Sequence, residues 1–399
     1  MRRNVLDQSV NVMEELNPPE RILLGPGPSN VHPKVLRAMS TGLIGYMDPY
    51  QFQIMDEIVD LLKDVFRTKN AMTVPIAGSG MAGMEASICN IVERGDQVVV
   101  GVNGVFGQRL SEVVQRCGGK SIEVKEKWGN IIKSEDVSRA LSNSNAKAVA
   151  VVQAETSTGV YQPVKQIAKI AHDHDALFIL DAVTSLGGCE LRVDDFGVDI
   201  CYSGSQKCLN APPGLAPITF NEKAMQIVRN RKTKVQSFYL DMTLMEKYWM
   251  KGSRSYHHTP PTSLLFGLRE ALRLVLEEGL ENRWEKHKKN SEALIKAVEA
   301  MGLEMLVSDQ EYRLPSLNSV KCPSNVQDPE IRKSLLENHH IEIGGGLGEL
   351  AGKIWRIGLM GLNSNQNNVI LVVGALEQAL KRKGFHMKSG VEAALEYFQ

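Results

Sequence analysis

Ala176-Leu177-Phe178-Ile179-Leu180-Asp181 and, one connection later, Asp199-Ile200-Cys201-Tyr202-Ser203-Gly204-Ser205-Gln206-Lys207 are the two stretches on which the fold turns. Each holds a short apolar run that gives way to polar residues, the pattern of a strand buried on both faces of a parallel sheet. Open α/β sheets bind ligands at the carboxyl edge of their strands. Asp181 and the segment ending in Lys207 are therefore predicted to emerge at one such edge.

Working outward, residues 97–101 and 148–152 read as further buried strands. Between strands, Pro163 opens a segment with Val164, Ile167, Ala168 and Ala171 at helical spacing, as proline at a first helical position allows. Residues 70–220 are thus predicted to be βαβ units around a mainly parallel sheet. The segment 262–278 starts at a capping-type Thr262, sets Leu264, Leu268, Leu272 and Val275 on one face, and stops at Gly279. A second helix is expected over 282–300, closed by Gly302, with mixed strand and helix signals beyond. The expected organisation is an N-terminal arm (1–20), a large α/β domain (21–278) and a smaller C-terminal α+β domain (279–399).

The 399 residues carry 46 Lys+Arg against 46 Asp+Glu, a formal net charge of zero. Such a balance gives no electrostatic attraction for a polyanion or an anionic bilayer, so neither a nucleic-acid nor a membrane partner is expected. The length exceeds what one hydrophobic core usually supports, which favours two domains. Cys89, Cys117, Cys189, Cys201, Cys208 and Cys322 form no C-x-x-C pair, and no apolar leader follows Met1-Arg2-Arg3. The chain ends Glu396-Tyr397-Phe398-Gln399, unlike an S-K-L address. A reduced, cytoplasmic setting is the expectation.

Gly78-Ser79-Gly80-Met81-Ala82-Gly83 follows a short apolar run and opens a predicted helix, where backbone N–H groups can hold a phosphate. A dinucleotide site would need an acid about 20 residues on, where Val98 stands; that disfavours nicotinamide binding and an NAD-dependent oxidoreductase, and leaves a structural turn and, foremost, a monophosphate cradle. Asp181 is either a cap or loop carboxylate, or a ligand group at the sheet edge. Lys207 has small residues before it and no carboxylate beside it in sequence; it is either an ordinary loop lysine or a sheltered amine suited to Schiff-base chemistry. Phe106, in a glycine loop after residues 97–101, either packs in the core or stacks on a flat ligand. Arg356, between apolar neighbours on a predicted strand 353–357, is a buried ion-pair partner or a fork for a carboxylate. A lysine for an imine, an aspartate for a pyridinium nitrogen and a helix N-terminus for one phosphate are together the requirements of pyridoxal 5′-phosphate.

With these residues in view, the chain resembles the class V, fold-type I pyridoxal-phosphate aminotransferases, most nearly the alanine-glyoxylate or serine-pyruvate type. The resemblance runs through Leu24-Gly25-Pro26-Gly27-Pro28-Ser29-Asn30, Gly78-Ser79-Gly80, Glu155-Thr156-Ser157-Thr158-Gly159, Asp181 with Ser185-Leu186-Gly187-Gly188, and residues 203–214. It continues in Tyr256-His257-His258-Thr259, Gly344-Gly345-Gly346-Leu347-Gly348 and Arg356-Ile357-Gly358-Leu359. It implies a fold-type I transferase working by ping-pong transamination. Lys207 would form the Schiff base and then act as base, Asp181 would pair with the ring nitrogen, Val183 would pack under the ring and Thr156 would bond its hydroxyl. Ser79, Gly80, Met81 and Gln206 would surround the phosphate, with Tyr256 and Thr259 supplied by the other subunit of a homodimer. Arg356 would bind the substrate α-carboxylate, beside a small pocket at Gly27.

Two positions depart from the well-known relatives: Phe106 stands where they have tryptophan, and Met81 where they have histidine. Phenylalanine still stacks but has less area and no N–H. The departures leave the reaction class intact and the amino donor open between alanine or serine and, as alternatives, ureidoglycine or 3-hydroxykynurenine. A cysteine desulfurase-like lyase is a rival of the same superfamily; it needs a reactive cysteine late in the chain, where Cys322 is the one cysteine after Cys208.

Overall fold

The structure is a computed structural model and describes residues 15–252 and 254–399. Most of the expected arm, residues 1–14, lies outside the described residues.

The central element is one seven-stranded sheet. Its strands are β1 (Met72–Ala77), β2 (Gln97–Val102), β3 (Lys120–Lys125), β4 (Ala146–Val152), β5 (Leu177–Asp181), β6 (Ile200–Tyr202) and β7 (Leu215–Phe220). They lie in the order β1-β7-β6-β5-β4-β2-β3, and β7 runs antiparallel to both its neighbours while the remaining pairs are parallel. Val98, Val99, Val149, Ile179 and Ile200 are fully buried, as expected of branched side chains on a sheet covered on both faces. Register places Val152 opposite Asp181, and Asp181 opposite Tyr202, so three strands end level at one edge.

The helices that matter to that edge are α1 (Pro49–Phe66), α2 (Gly80–Cys89), α3 (Val105–Arg116), α4 (Lys165–Asp173), α5 (Thr262–Glu278), α6 (Leu280–Ala300) and α7 (Gln366–Arg382). Three local expectations are corrected. The segment after Pro163 is helical only from Lys165, because the first helical bond closes on the Val164 carbonyl, and the Pro163 carbonyl accepts instead from the Gln162 amide. Thr262 is not a cap: Pro261 precedes α5, and the Thr262 hydroxyl donates to the Pro260 carbonyl. α6 begins at Leu280, since the Arg283 N–H bonds Gly279 O at 3.0 Å, so one glycine with φ 85° both ends α5 and opens α6.

Beyond α5 a small antiparallel sheet, β8 (Leu317–Lys321), β9 (Gly344–Gly345) and β10 (Ile354–Gly358), takes the order β8-β10-β9. It packs with α7 and the second half of α6 into an apolar cluster separate from that of the large sheet. Leu24 belongs to this second cluster, and Ile22–Leu23 pairs with Ile341–Glu342. α6 joins the two, with Leu280 in the first cluster and Ala293, Leu294 and Val298 in the second.

Candidate active site

The level strand ends deliver Val152, Asp181 and, one residue past β6, the loop 203–207 to a cavity of about 150 Å³. Ser79, Gly80, Met81, Phe106, Thr156, Asp181, Val183, Gln206 and Lys207 all line it. A larger hollow of about 370 Å³ lies between α5, α6 and residues 362–365 and shares none of these groups.

Asp181 is 3% exposed, and its carboxylate accepts from the Val183 N–H at 2.9 Å and the Tyr202 hydroxyl at 2.7 Å. Burial pushes the carboxyl up to about 7 despite those two bonds. It is a desolvated acid that a cation beside it would hold ionised. Lys207 responds in the opposite sense: burial lowers its ammonium to about 8, with Arg356 adding to the fall and Cys208 and Asp181 opposing it. Its Nζ donates to the Pro26 carbonyl. Gly27 sits at φ +103°, and a Cβ there would lie 2.5 Å from Lys207 Nζ, so only glycine leaves the amine its place.

Arg356, on β10 between Ser319 and Gly344, reaches in from the small sheet. Its Nε donates to Gly345 O at 2.7 Å and its Nη1 to Thr156 O at 3.0 Å, while Nη2 has no bond among the described residues. The fork is thereby tied to Thr156, which lines the cavity, although Arg356 and Gly27 are not themselves among the lining residues. Tyr256 and Thr259 are not brought to this cavity; the Tyr256 ring is 57% exposed and its hydroxyl meets Thr259 Oγ1 at 3.1 Å.

A model of the class V aminotransferase family matches residues 23–363. The chain belongs to that family. It is 42% identical to the alanine–glyoxylate aminotransferase of Rattus norvegicus, over 92% of this chain and 89% of the relative. Among solved structures it is similar to an alanine–glyoxylate aminotransferase from Nostoc sp. (45% identity, TM-score 0.92, 95% of this chain and 100% of that one). It is equally similar to the ureidoglycine–glyoxylate aminotransferase of Bacillus subtilis (40% identity, TM-score 0.94, 96% and 100% covered). The chain is a transaminase with the fold-type I architecture, and the family's cofactor is pyridoxal 5′-phosphate.

The cavity of this class V aminotransferase fits that cofactor on its own chemistry. Asp181 is a buried acid awaiting a cation. Among the described residues the Gln206 amide oxygen is buried without a partner, so no bond holds the amide away from an anion, and the Ser79 side chain makes no capping bond at the start of α2. A Cβ at Gly80 would lie 2.9 Å from Val183 Cγ2, so the glycine lets the N-terminus of α2, where backbone N–H groups lack helical partners, pack against Val183 in the cavity wall. The lyase rival fares worse: burial pushes the Cys322 thiol up to about 12, far from a reactive thiolate.

The sequence reading missed Tyr202, Arg109, Glu155 and Asn210. Tyr202 was recoverable, because strand register alone sets it opposite Asp181. Arg109 lines the cavity one helical turn after Phe106, with its guanidinium 5.2 Å from that ring. Asn210, at φ +56°, donates to Ser29 Oγ and accepts from Leu362 N, tying the lysine loop to two segments far from it in sequence. No local pattern announces such a hub.

Proposed function

We propose that the chain moves the amino group of a small amino acid, alanine or serine, to glyoxylate or another small 2-oxo acid in two half-reactions. The observation that carries this reading is the convergence of Lys207 and Asp181 on one cavity, with the Arg356 fork bonded to Thr156 in its wall. Lys207 would hold the cofactor covalently, Asp181 would face its ring nitrogen, Thr156 its hydroxyl, and Val183 and Phe106 its two faces. Ser79, Gly80, Met81 and Gln206 would surround its phosphate. When bound, pyridoxal 5′-phosphate supplies an electron sink at the substrate's α-carbon. Once the substrate's amino group has displaced it, Lys207 Nζ would take the α-proton and deliver it to a different carbon, work typically worth about 10²- to 10⁴-fold. Asp181 holds its negative charge where the ring nitrogen carries a proton. Arg356 binds the α-carboxylate through Nη2 and the second hydrogen of Nη1, which sets the substrate's orientation as well as its charge. Gly27, having no side chain, leaves the space that the Lys207 amine occupies.

A homodimer is part of the proposal. Tyr256 and Thr259 lie off the chain's own cavity; exposed Tyr46 packs on Tyr256 and exposed Phe238 on His257, a surface suited to a second copy whose Tyr256 and Thr259 would complete the phosphate site. All six cysteines are free, which suits a reducing compartment, and the cytoplasm is proposed. No helix of the described residues is long and apolar enough to cross a membrane.

A donor panel tests the assignment: alanine, serine, ureidoglycine and 3-hydroxykynurenine, each with glyoxylate and with pyruvate. Turnover of alanine or serine with glyoxylate at a kcat/KM at least about tenfold above the other donors is expected, the margin a few contacts can supply. The similarity to the Bacillus subtilis enzyme makes ureidoglycine the second reading, and a preference for it would replace the first.

The lysine also sets a pH dependence. Its amine is nucleophilic only when neutral, and burial brings that form in at about pH 8, well below an ordinary lysine. Uptake of pyridoxal 5′-phosphate by the apoprotein should therefore accelerate as pH rises and level off above a midpoint near 8, read by stopped-flow absorbance. A midpoint near that of free lysine would contradict it.

A further inference from the structure

Glu155 is a fully buried carboxylate that the transamination mechanism does not use. It stands at the start of the turn that carries Thr156, and both its oxygens are engaged. Oε2 accepts from the Phe106 N–H at 3.1 Å and the Gly107 N–H at 3.2 Å. Oε1 accepts from the Ser157 N–H at 3.1 Å and the Ser157 hydroxyl at 2.6 Å. The Ser157 oxygen in turn accepts from the Val105 N–H at 2.9 Å.

The three N–H groups at positions 105, 106 and 107 are the first of α3, which have no partner inside the helix. The residue that would normally cap them, Gly104, has no side chain to do so. A Cβ there would fall 2.4 Å from the Glu155 carboxyl carbon and 2.5 Å from Ser157 Oγ, so the missing cap is also the space the carboxylate occupies. Burial raises the Glu155 carboxyl above the ordinary carboxylate value, and the donors from Ser157, Gly107 and Phe106, with the positive end of α3 against it, work against that rise.

The consequence reaches the cavity from two sides. Phe106, held through its own N–H, lines it from α3; Thr156, the next residue after Glu155, lines it from the other wall, and the Thr156 carbonyl receives Arg356 Nη1. We propose that Glu155 is a positioning residue: by capping α3 from a separate segment it fixes Phe106, Thr156 and, through Thr156, Arg356 in one arrangement around the cofactor. This rests on the function proposed above. It also accounts for a glutamate buried where an apolar residue would cost less to desolvate.

Glu155→Gln keeps the shape and turns one acceptor into an N–H₂ that faces donors. Its test is equilibrium titration of the apoprotein with pyridoxal 5′-phosphate, with the visible circular dichroism of the bound cofactor as a second readout. The dissociation constant should rise about tenfold, the factor that one lost charge-assisted hydrogen bond carries, and the dichroic band should weaken. Ser157→Ala, which removes one donor to Glu155 and the acceptor of Val105, should raise it about threefold; it is read alone if the glutamine variant fails to fold. Variants that melt at lower temperature but bind within twofold of the parent, with an unchanged band, would reduce Glu155 to a structural cap and overturn the inference. A parent chain that takes up no cofactor would overturn the proposed function, and this inference with it.

Discussion

Lys207→Ala is expected to lose steady-state turnover by at least about 10⁴-fold, the upper range for a positioned proton-transfer group, since the same amine is also proposed to tether the cofactor. The loss should not come from unfolding. Lys207 is a largely buried ammonium whose described neighbours include a guanidinium and a backbone carbonyl, and burial has already lowered its affinity for a proton. Removing a charge held at such a cost should leave the melting temperature near that of the parent, or above it. Lys207→Arg sharpens the test, because a guanidinium keeps the charge but cannot give up its proton, so it should be as inactive as the alanine variant. Initial rates with alanine and glyoxylate, beside a thermal melt, give both readouts. Turnover within tenfold of the parent in either variant would remove Lys207 from the chemistry.

What could be read before the structure follows the range of the interactions involved. Asp181 and Lys207 were legible because strand ends are set by local pattern: an apolar run, an abrupt polar stop, and an open sheet that puts every such stop at one edge. Phe106 and Ser79 followed from glycine loops after strands. Helix starts were less legible. Thr262 has the chemistry of a cap and Pro163 the chemistry of a first helical residue, yet both were bypassed because neighbouring carbonyls found other partners. Glu155, Tyr202 and Asn210 depend on partners distant in sequence, 49 residues for Glu155 with Phe106, 21 for Tyr202 with Asp181 and 181 for Asn210 with Ser29. Periodicity carries no information about such pairs. Only register, in the case of Tyr202, would have supplied it.

Arg356 joins both kinds of information, and its replacement is the second large effect expected. The sequence sets the guanidinium on an apolar strand; the structure shows what holds it, two carbonyl oxygens from separate segments, Gly345 and Thr156. Burial lowers the guanidinium from its ordinary value, and Glu155 works against that fall, so the group remains a cation at neutral pH. Two charge-assisted bonds to a substrate carboxylate, at about 1.5–3 kcal/mol each, predict a fall in kcat/KM of about 10²- to 10⁴-fold for Arg356→Gln. Arg356→Lys keeps a charge but not the fork and should recover less than about tenfold of that loss. Both variants leave the Gly345 and Thr156 carbonyls short of a donor, at about 1–3 kcal/mol for each buried group, so a lower melting temperature is expected too. The kinetic split separates the two effects. Loss of a carboxylate contact acts on every α-amino acid and 2-oxo acid in proportion, while a decarboxylated amine, which never offered the carboxylate, should bind the variant as well as it binds the parent. If the variants discriminated against the amine and the amino acid alike, Arg356 would be a structural clamp between the two sheets and the substrate's carboxylate would have to be held elsewhere.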